Sequence, residues 1–167
     1  ALALQPSALG YFYRAYAKND SGDYQGAIAD YNKAIEINPQ YALAYNNRGL
    51  AKYELGDYQA AIADYNKAIA INPQGAQAYF YFNRGVAKRN LGDTQGAIAD
   101  YNKALEIDPQ NALAYSNRGV AKEKSGDNQG AISDYNKAIE INPQDADFYY
   151  NRGIAKRKLG DDRGGCA

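Results

Sequence analysis

A thirteen-residue block, Ala27-Ile28-Ala29-Asp30-Tyr31-Asn32-Lys33-Ala34-Ile35-Glu36-Ile37-Asn38-Pro39, returns with few changes at 61–73, 97–109 and 131–143, and the stretches between the blocks recur with it. Self-similarity at such a period marks a stacked array: one unit cannot bury its apolar face alone, so the units must cover one another. That requirement constrains the chain before any local feature is considered.

Each block reads as a helix. Ala27, Ile28, Tyr31, Ala34 and Ile35 fall on one face at a period of 3.6, and Asp30, Lys33 and Glu36 lie off that stripe. The preceding segment, 42–55, is also helical and has two occupied faces. Tyr45, Gly49 and Lys52 share one side; Leu43, Asn46, Asn47, Leu50 and Tyr53 share another. One face packs on the partner helix and the other is left for neighbours or a ligand. Gly-Asp pairs, from Gly22-Asp23 to Gly160-Asp161, punctuate the turn between the two helices. Gly closes a helix in the left-handed region and Asp caps the next one, a cap contributing about 0.5–2 kcal/mol. Such a short connection makes the helices antiparallel neighbours. The prolines, Pro6, Pro39, Pro73, Pro109 and Pro143, each end a second helix.

The units are therefore 8–41, 42–75, 78–111 and 112–145, with a partial unit from 146 to 167 and the tail of a preceding helix at 1–7. The expectation is a single array over 1–167, either cut from a longer one or closed by terminal helices. The spacing of 36 between Pro73 and Pro109 implies two inserted residues before Gly85, taken up by the inter-repeat loop or by an extra half-turn of helix.

These units resemble tetratricopeptide repeats. In the second unit the matching residues are Tyr45, Arg48, Gly49, Lys52, Ala61, Tyr65 and Pro73. Gly, Ala and Pro are kept; Tyr stands for Trp and Phe, and Arg and Lys replace Leu and Tyr. The Asn-Arg-Gly variant is similar to repeats common in bacterial proteins. The resemblance implies an all-α, right-handed superhelical solenoid of antiparallel helix pairs, with the first helices lining a concave groove. It also implies protein–protein interaction without catalysis. Gly49, Gly85, Gly119 and Gly153 sit mid-helix, where Gly costs about 1 kcal/mol against Ala. Close approach of the partner helix at Ala61, Ala97 and Ala131 is the expected compensation.

In the family's geometry the groove is faced by a row of amides, Asn47, Asn83, Asn117 and Asn151, with Tyr13 at that position in the first unit. In some members an asparagine ladder there holds a peptide backbone, since an amide both donates and accepts. Four such bonds supply roughly 2–6 kcal/mol, short of the roughly 8 kcal/mol of micromolar binding, so side-chain pockets must contribute. The same face carries Leu9, Phe12 and Tyr16; Leu43, Leu50 and Tyr53; Tyr79, Phe82 and Val86; Leu113 and Val120; Tyr150 and Ile154. So apolar a face reads as an interaction site, or as packing between adjacent first helices. The amides equally serve as hydrogen-bond partners of neighbouring helices. The recurring Arg14, Arg48, Arg84, Arg118 and Arg152 and Asp30, Asp64, Asp100 and Asp134 read as structural ion pairs between helices. The cations with which chaperone-binding members grip a C-terminal carboxylate are missing here, so that function is rejected.

Charge and composition narrow the partner. Lys and Arg number 19, as do Asp and Glu, so the chain lacks the basic footprint of a nucleic-acid binder. It holds no run of about 20 apolar residues, the length a membrane span needs. There is no His, and Cys166 is the only Cys, so neither a zinc site nor a Cys/His nucleophile can be built from it. No cofactor is expected. Cys166 reads as an incidental terminal thiol, and the lone Cys leaves the compartment open with a lean toward the cytoplasm. The 17 Tyr suit thin, partly wet cores and binding surfaces. The reading is a scaffold that takes a protein or peptide segment in its groove. Its alternatives are a self-associating structural module and a regulatory arm of a larger enzyme.

Overall fold

The computed structural model describes residues 7–71, 73 and 77–160. Among these, nine helices follow one another: α1 (Ala8–Asp20), α2 (Tyr24–Ile37), α3 (Ala42–Glu54), α4 (Tyr58–Ile71), α5 (Ala78–Leu91), α6 (Thr94–Ile107), α7 (Ala112–Lys124), α8 (Asn128–Ile141) and α9 (Ala146–Lys158). The chain forms two compact units, Ala1–Ala87 and Lys88–Ala167, the division falling within α5. Cys166, the segment 1–6 and the start of the fifth second helix lie outside the described residues.

The turn between paired helices follows from its Gly-Asp dipeptide. After α3, Gly56 adopts φ +81°, which only Gly takes cheaply. Its N–H donates to the Tyr53 carbonyl at 2.8 Å and that of Asp57 to the Lys52 carbonyl at 3.0 Å, so the last turn's acceptors are satisfied. The Asp57 carboxylate then accepts from Ala60 N at 3.1 Å, capping α4. Asp23, Asp93 and Asp127 cap α2, α6 and α8 in the same way.

In the first unit α1 packs on α2 and α3 on α4, and α2 also packs on α3. Tyr31 and Tyr65 are buried, each within a stripe of buried alanines: Ala27 and Ala34, then Ala61 and Ala68. Large rings set into small residues let the helices approach closely. In the second unit α6 packs on α7, α7 on α8 and α8 on α9. There Ala131, Ile132, Tyr135 and Ala155 form the core, with Val120 against it.

Mid-helix glycine has a different neighbour from the one expected. A Cβ on Gly49 would sit 2.8 Å from Tyr65 Cε1, and Ala61 takes part only through its carbonyl oxygen, at 3.2 Å. A Cβ on Gly119 would meet the Tyr135 ring at 2.8 Å. The glycine therefore makes room for the buried tyrosine of the following helix rather than for an alanine. At Gly153 an added Cβ meets nothing within 4 Å among the described residues.

The insertion lies between helices. Residues 72–77 separate α4 from α5, against four residues in 38–41, 108–111 and 142–145. Ala78 precedes Gly85 by the interval that separates Ala42 from Gly49, so α5 starts in the common register. Residues 72 and 74–76 are outside the described set.

Candidate functional site

In the first unit, α3 and α5 bring five of the expected groove residues to one place. Leu50, Tyr53, Phe82, Asn83 and Val86, with the buried Tyr65 of α4, line a cleft of about 190 Å³. Asn83 is its only residue with a carboxamide, and none of the six carries a formal charge. Burial pushes the Tyr65 phenol above its ordinary value, so it stays neutral at physiological pH.

The amides of this unit are already linked. Asn83 Nδ2 donates to Asn46 Oδ1 at 3.2 Å, and Asn46 Nδ2 donates to Asn47 Oδ1 at 3.0 Å. Asn47 in turn lies against the Tyr31 phenol. Burial pushes that phenol up to about 12, and the Asn47 amide opposes the shift. Asn46 is 2% exposed, and a buried amide demands such partners. Sequence reasoning singled out Asn47 and Asn83 but left Asn46, which joins them, without a role. Its position holds Phe12, Phe82, Ser116 and Tyr150 in the other units, so no periodic signal marks it.

One repeat position thus meets three environments. Phe12, expected on the groove, is in the core: it is 8% exposed and packs against Tyr31 and Tyr41, with ring centroids 5.8 and 4.9 Å away. The cause is Tyr41, the residue just before α3, where the other loops end in Gln77, Asn111 and Asp145. Phe82 lines the cleft, and Tyr150 is 68% exposed. Tyr16 is also exposed.

In the second unit the amide row is engaged differently. Asn117 Oδ1 accepts from Arg89 Nη1 at 2.6 Å, and Asn117 Nδ2 donates to the Leu113 carbonyl at 2.9 Å. Asn151 is half-buried on α9. Glu123, at the position of Tyr53, pairs with Lys158 at 2.5 Å.

The arginines are fastened. Arg48 donates from Nε and Nη2 to the Asp64 carboxylate at 2.8 and 2.6 Å, and from Nη1 to Asn32 Oδ1 of the preceding second helix at 2.6 Å. Its guanidinium lies 5.3 Å over the Tyr45 ring. Lys52 Nζ adds a contact to Asp64 at 2.8 Å. The arrangement recurs as Arg118, Asp134, Lys122 and Asn102, and as Arg14, Asp30 and Lys18. Each arginine ties its first helix to its own second helix and, where one precedes, to the previous repeat. These cations are structural rather than a stripe for an acidic ligand. The lysine three residues after the mid-helix glycine was the missed third member, although its recurrence at Lys18, Lys52, Lys88 and Lys122 was open to inspection.

The Arg14 guanidinium, aided by Lys18, holds the Asp30 carboxyl down at about 2, against an ordinary value of 3.8. Because the folded value is the lower one, this group's contribution to stability is complete above about pH 4 and is lost as pH falls toward 2. The excess thermal midpoint of the wild type over Asp30→Asn is expected to shrink across that interval. A constant difference from pH 7 to pH 2 would rule out the carboxylate as its source.

Among the described residues no group of His, Cys, Asp and Glu is placed to hold a metal, and no helix is long and apolar enough to cross a membrane.

Helix pairs at a fixed period, joined by Gly-Asp turns and stapled by recurring Arg–Asp pairs, define an all-α helical-repeat protein. The family model described as TPR repeat matches residues 15–56, 85–126 and 124–160, and the one described as tetratricopeptide repeat matches 42–74. The chain belongs to the tetratricopeptide repeat family. Among solved structures it is similar to MamA, at 25% identity and a TM-score of 0.84 over 92% of this chain and 82% of that one. The TPR domain of Arabidopsis OM64 is 30% identical, with a TM-score of 0.66 over 70% of this chain and 94% of that domain. YrrB, described as a TPR protein with an unusual peptide-binding site, shares the fold at 22% identity, with a TM-score of 0.80 over 93% and 79% of the two chains. No curated protein sequence matches significantly.

Proposed function

We propose that the chain is a non-catalytic scaffold that binds a protein or peptide segment on the face of its first helices. The observation that carries this reading is the cleft between α3 and α5, where apolar side chains remain around an unfilled 190 Å³. Seating one large apolar side chain there contributes about 1.5–3 kcal/mol, a fraction of the roughly 8 kcal/mol of a micromolar complex. The remainder comes from main-chain hydrogen bonds and from exposed neighbours on the first helices such as Tyr16 and Leu43, which are 56% and 40% exposed.

The test is selection from a displayed library of random peptides on the immobilised chain. Enriched peptides are expected to lose at least tenfold in affinity against Val86→Glu, which sets a charge in the cleft wall while the helical spectrum is retained. No enrichment over the bare support, or equal affinity for Val86→Glu, would overturn the reading.

A further inference from the structure

Resting on that reading, the amide chain of the first unit says what kind of segment the cleft takes. The Asn83 carboxamide lines the cleft, and its nitrogen is committed to Asn46 Oδ1 at 3.2 Å. Asn46 is itself fixed, being 2% exposed and bonded through its own nitrogen to Asn47. A buried amide held at both ends has one orientation, and it imposes one on its partner. Among the described residues nothing engages the Asn83 oxygen. The other rows differ: Asn117 has its oxygen taken by Arg89 and its nitrogen by Leu113, and Asn47 has its oxygen taken by Asn46.

The surroundings restrict what meets that oxygen. The cleft has no charged lining residue, and the cations of α1 and α3, Arg14, Lys18, Arg48 and Lys52, are all bound to Asp30 or Asp64. A charged side chain entering the cleft would lose its water without gaining a counter-ion. The volume of about 190 Å³ exceeds the roughly 150 Å³ that suffices for a benzene ring in an apolar cavity, so it admits one ring-sized or branched aliphatic group.

We propose that the site takes an extended peptide segment with one uncharged, large apolar side chain in the cleft, and that Asn46 is the positioning residue that turns the Asn83 oxygen toward a main-chain N–H of that segment. Asn83 touches the ligand; Asn46 acts through it.

Peptides enriched from the displayed library, made as fluorescent synthetic peptides, carry the test. They are expected to share one Leu, Ile, Phe or Met. Changing that residue to Ala should weaken binding at least tenfold, and changing it to Asp should abolish it. N-methylation at one backbone position near it should weaken binding to the wild type about fivefold or more. The same N-methylation should cost nothing further against Asn46→Leu, which keeps the volume and removes the amide. Loss of packing alone would lower both affinities and leave the N-methyl effect intact. Should Asn46→Leu fail to fold, Asn83→Ala serves in the same cycle.

Equal N-methyl effects in wild type and variant, or enrichment of a charged residue at the anchor, would overturn the proposal while leaving the scaffold reading in place. Absence of any enriched peptide would remove both. Concentration-dependent dimerisation that Val86→Glu abolishes would seat a second copy in the cleft and overturn the peptide assignment alone.

Discussion

Replacing Tyr135 by Ala is expected to destabilise the protein by about 3–5 kcal/mol, the range for removing a fully buried aromatic ring from a core. The ring is 0% exposed and packs among Ala131, Ile132 and Ala155, with Val120 at its edge. It also fills the space that Gly119 leaves open, so its loss empties a gap that no neighbouring side chain is shaped to close. In a chain of this length the loss corresponds to a fall in melting temperature on the order of 10 °C. Because repeat arrays hold together by nearest-neighbour contacts, the loss of amide-exchange protection should be greatest in α7, α8 and α9. Tyr150→Ala is the matched control. Its ring is 68% exposed, and its cost should stay within about 0.5 kcal/mol. A melting temperature for Tyr135→Ala within 2 or 3 °C of wild type, by the same scaling, would show that the ring is not a core element.

The second large effect is expected at Asp64. Its carboxylate receives two bonds from Arg48 and one from Lys52, and the side-chain exposures are 6%, 17% and 22% respectively. Asp64→Ala removes the anion and leaves two partly buried cations facing each other, at a cost of about 3 kcal/mol, the lower end of the range for breaking a buried pair. Arg48 also holds Asn32 of the preceding repeat, so the loss should spread into α2 as faster amide exchange there. The triple variant Asp64→Leu with Arg48→Met and Lys52→Met should recover part of the stability, because replacing a whole buried ion cluster by apolar groups is far less costly than orphaning its members. A triple variant no more stable than Asp64→Ala would mean that the charges themselves, rather than their pairing, hold the helices.

Much of the local structure could be read from residue types at fixed intervals. The apolar stripe of Ala27, Ile28, Tyr31, Ala34 and Ile35 is a property of one helix, and so is the Gly-Asp turn, whose left-handed glycine and capping carboxylate act within a few residues. The Arg–Asp pairs were legible for a related reason: Arg14–Asp30, Arg48–Asp64 and Arg118–Asp134 keep one separation, and equal separations in equal units give equal geometry. The third cation was as periodic and was overlooked only because its position had been assigned to helix packing.

The candidate site was legible in part, and the limit is physical. Leu50, Tyr53, Phe82, Asn83 and Val86 were placed on one face by register, and the fold brings them around one cleft. Register could not say that Phe12, at the position of Phe82, would be covered by Tyr41, a loop residue that breaks the pattern. Nor could it pair Asn46 with Asn83, which are 37 residues apart and match no other unit.

The sequence by itself determined the helices, their turns, their pairing and the family, because each rests on short-range chemistry repeated in every unit. The tertiary structure alone decided which member of each equivalent set is buried, which is hydrogen-bonded and which is left open. Those outcomes depend on the one or two side chains that differ between neighbouring repeats. Repetition therefore specifies the scaffold, and the departures from it (Asn46, Tyr41, Tyr53) make one cleft unlike the rest.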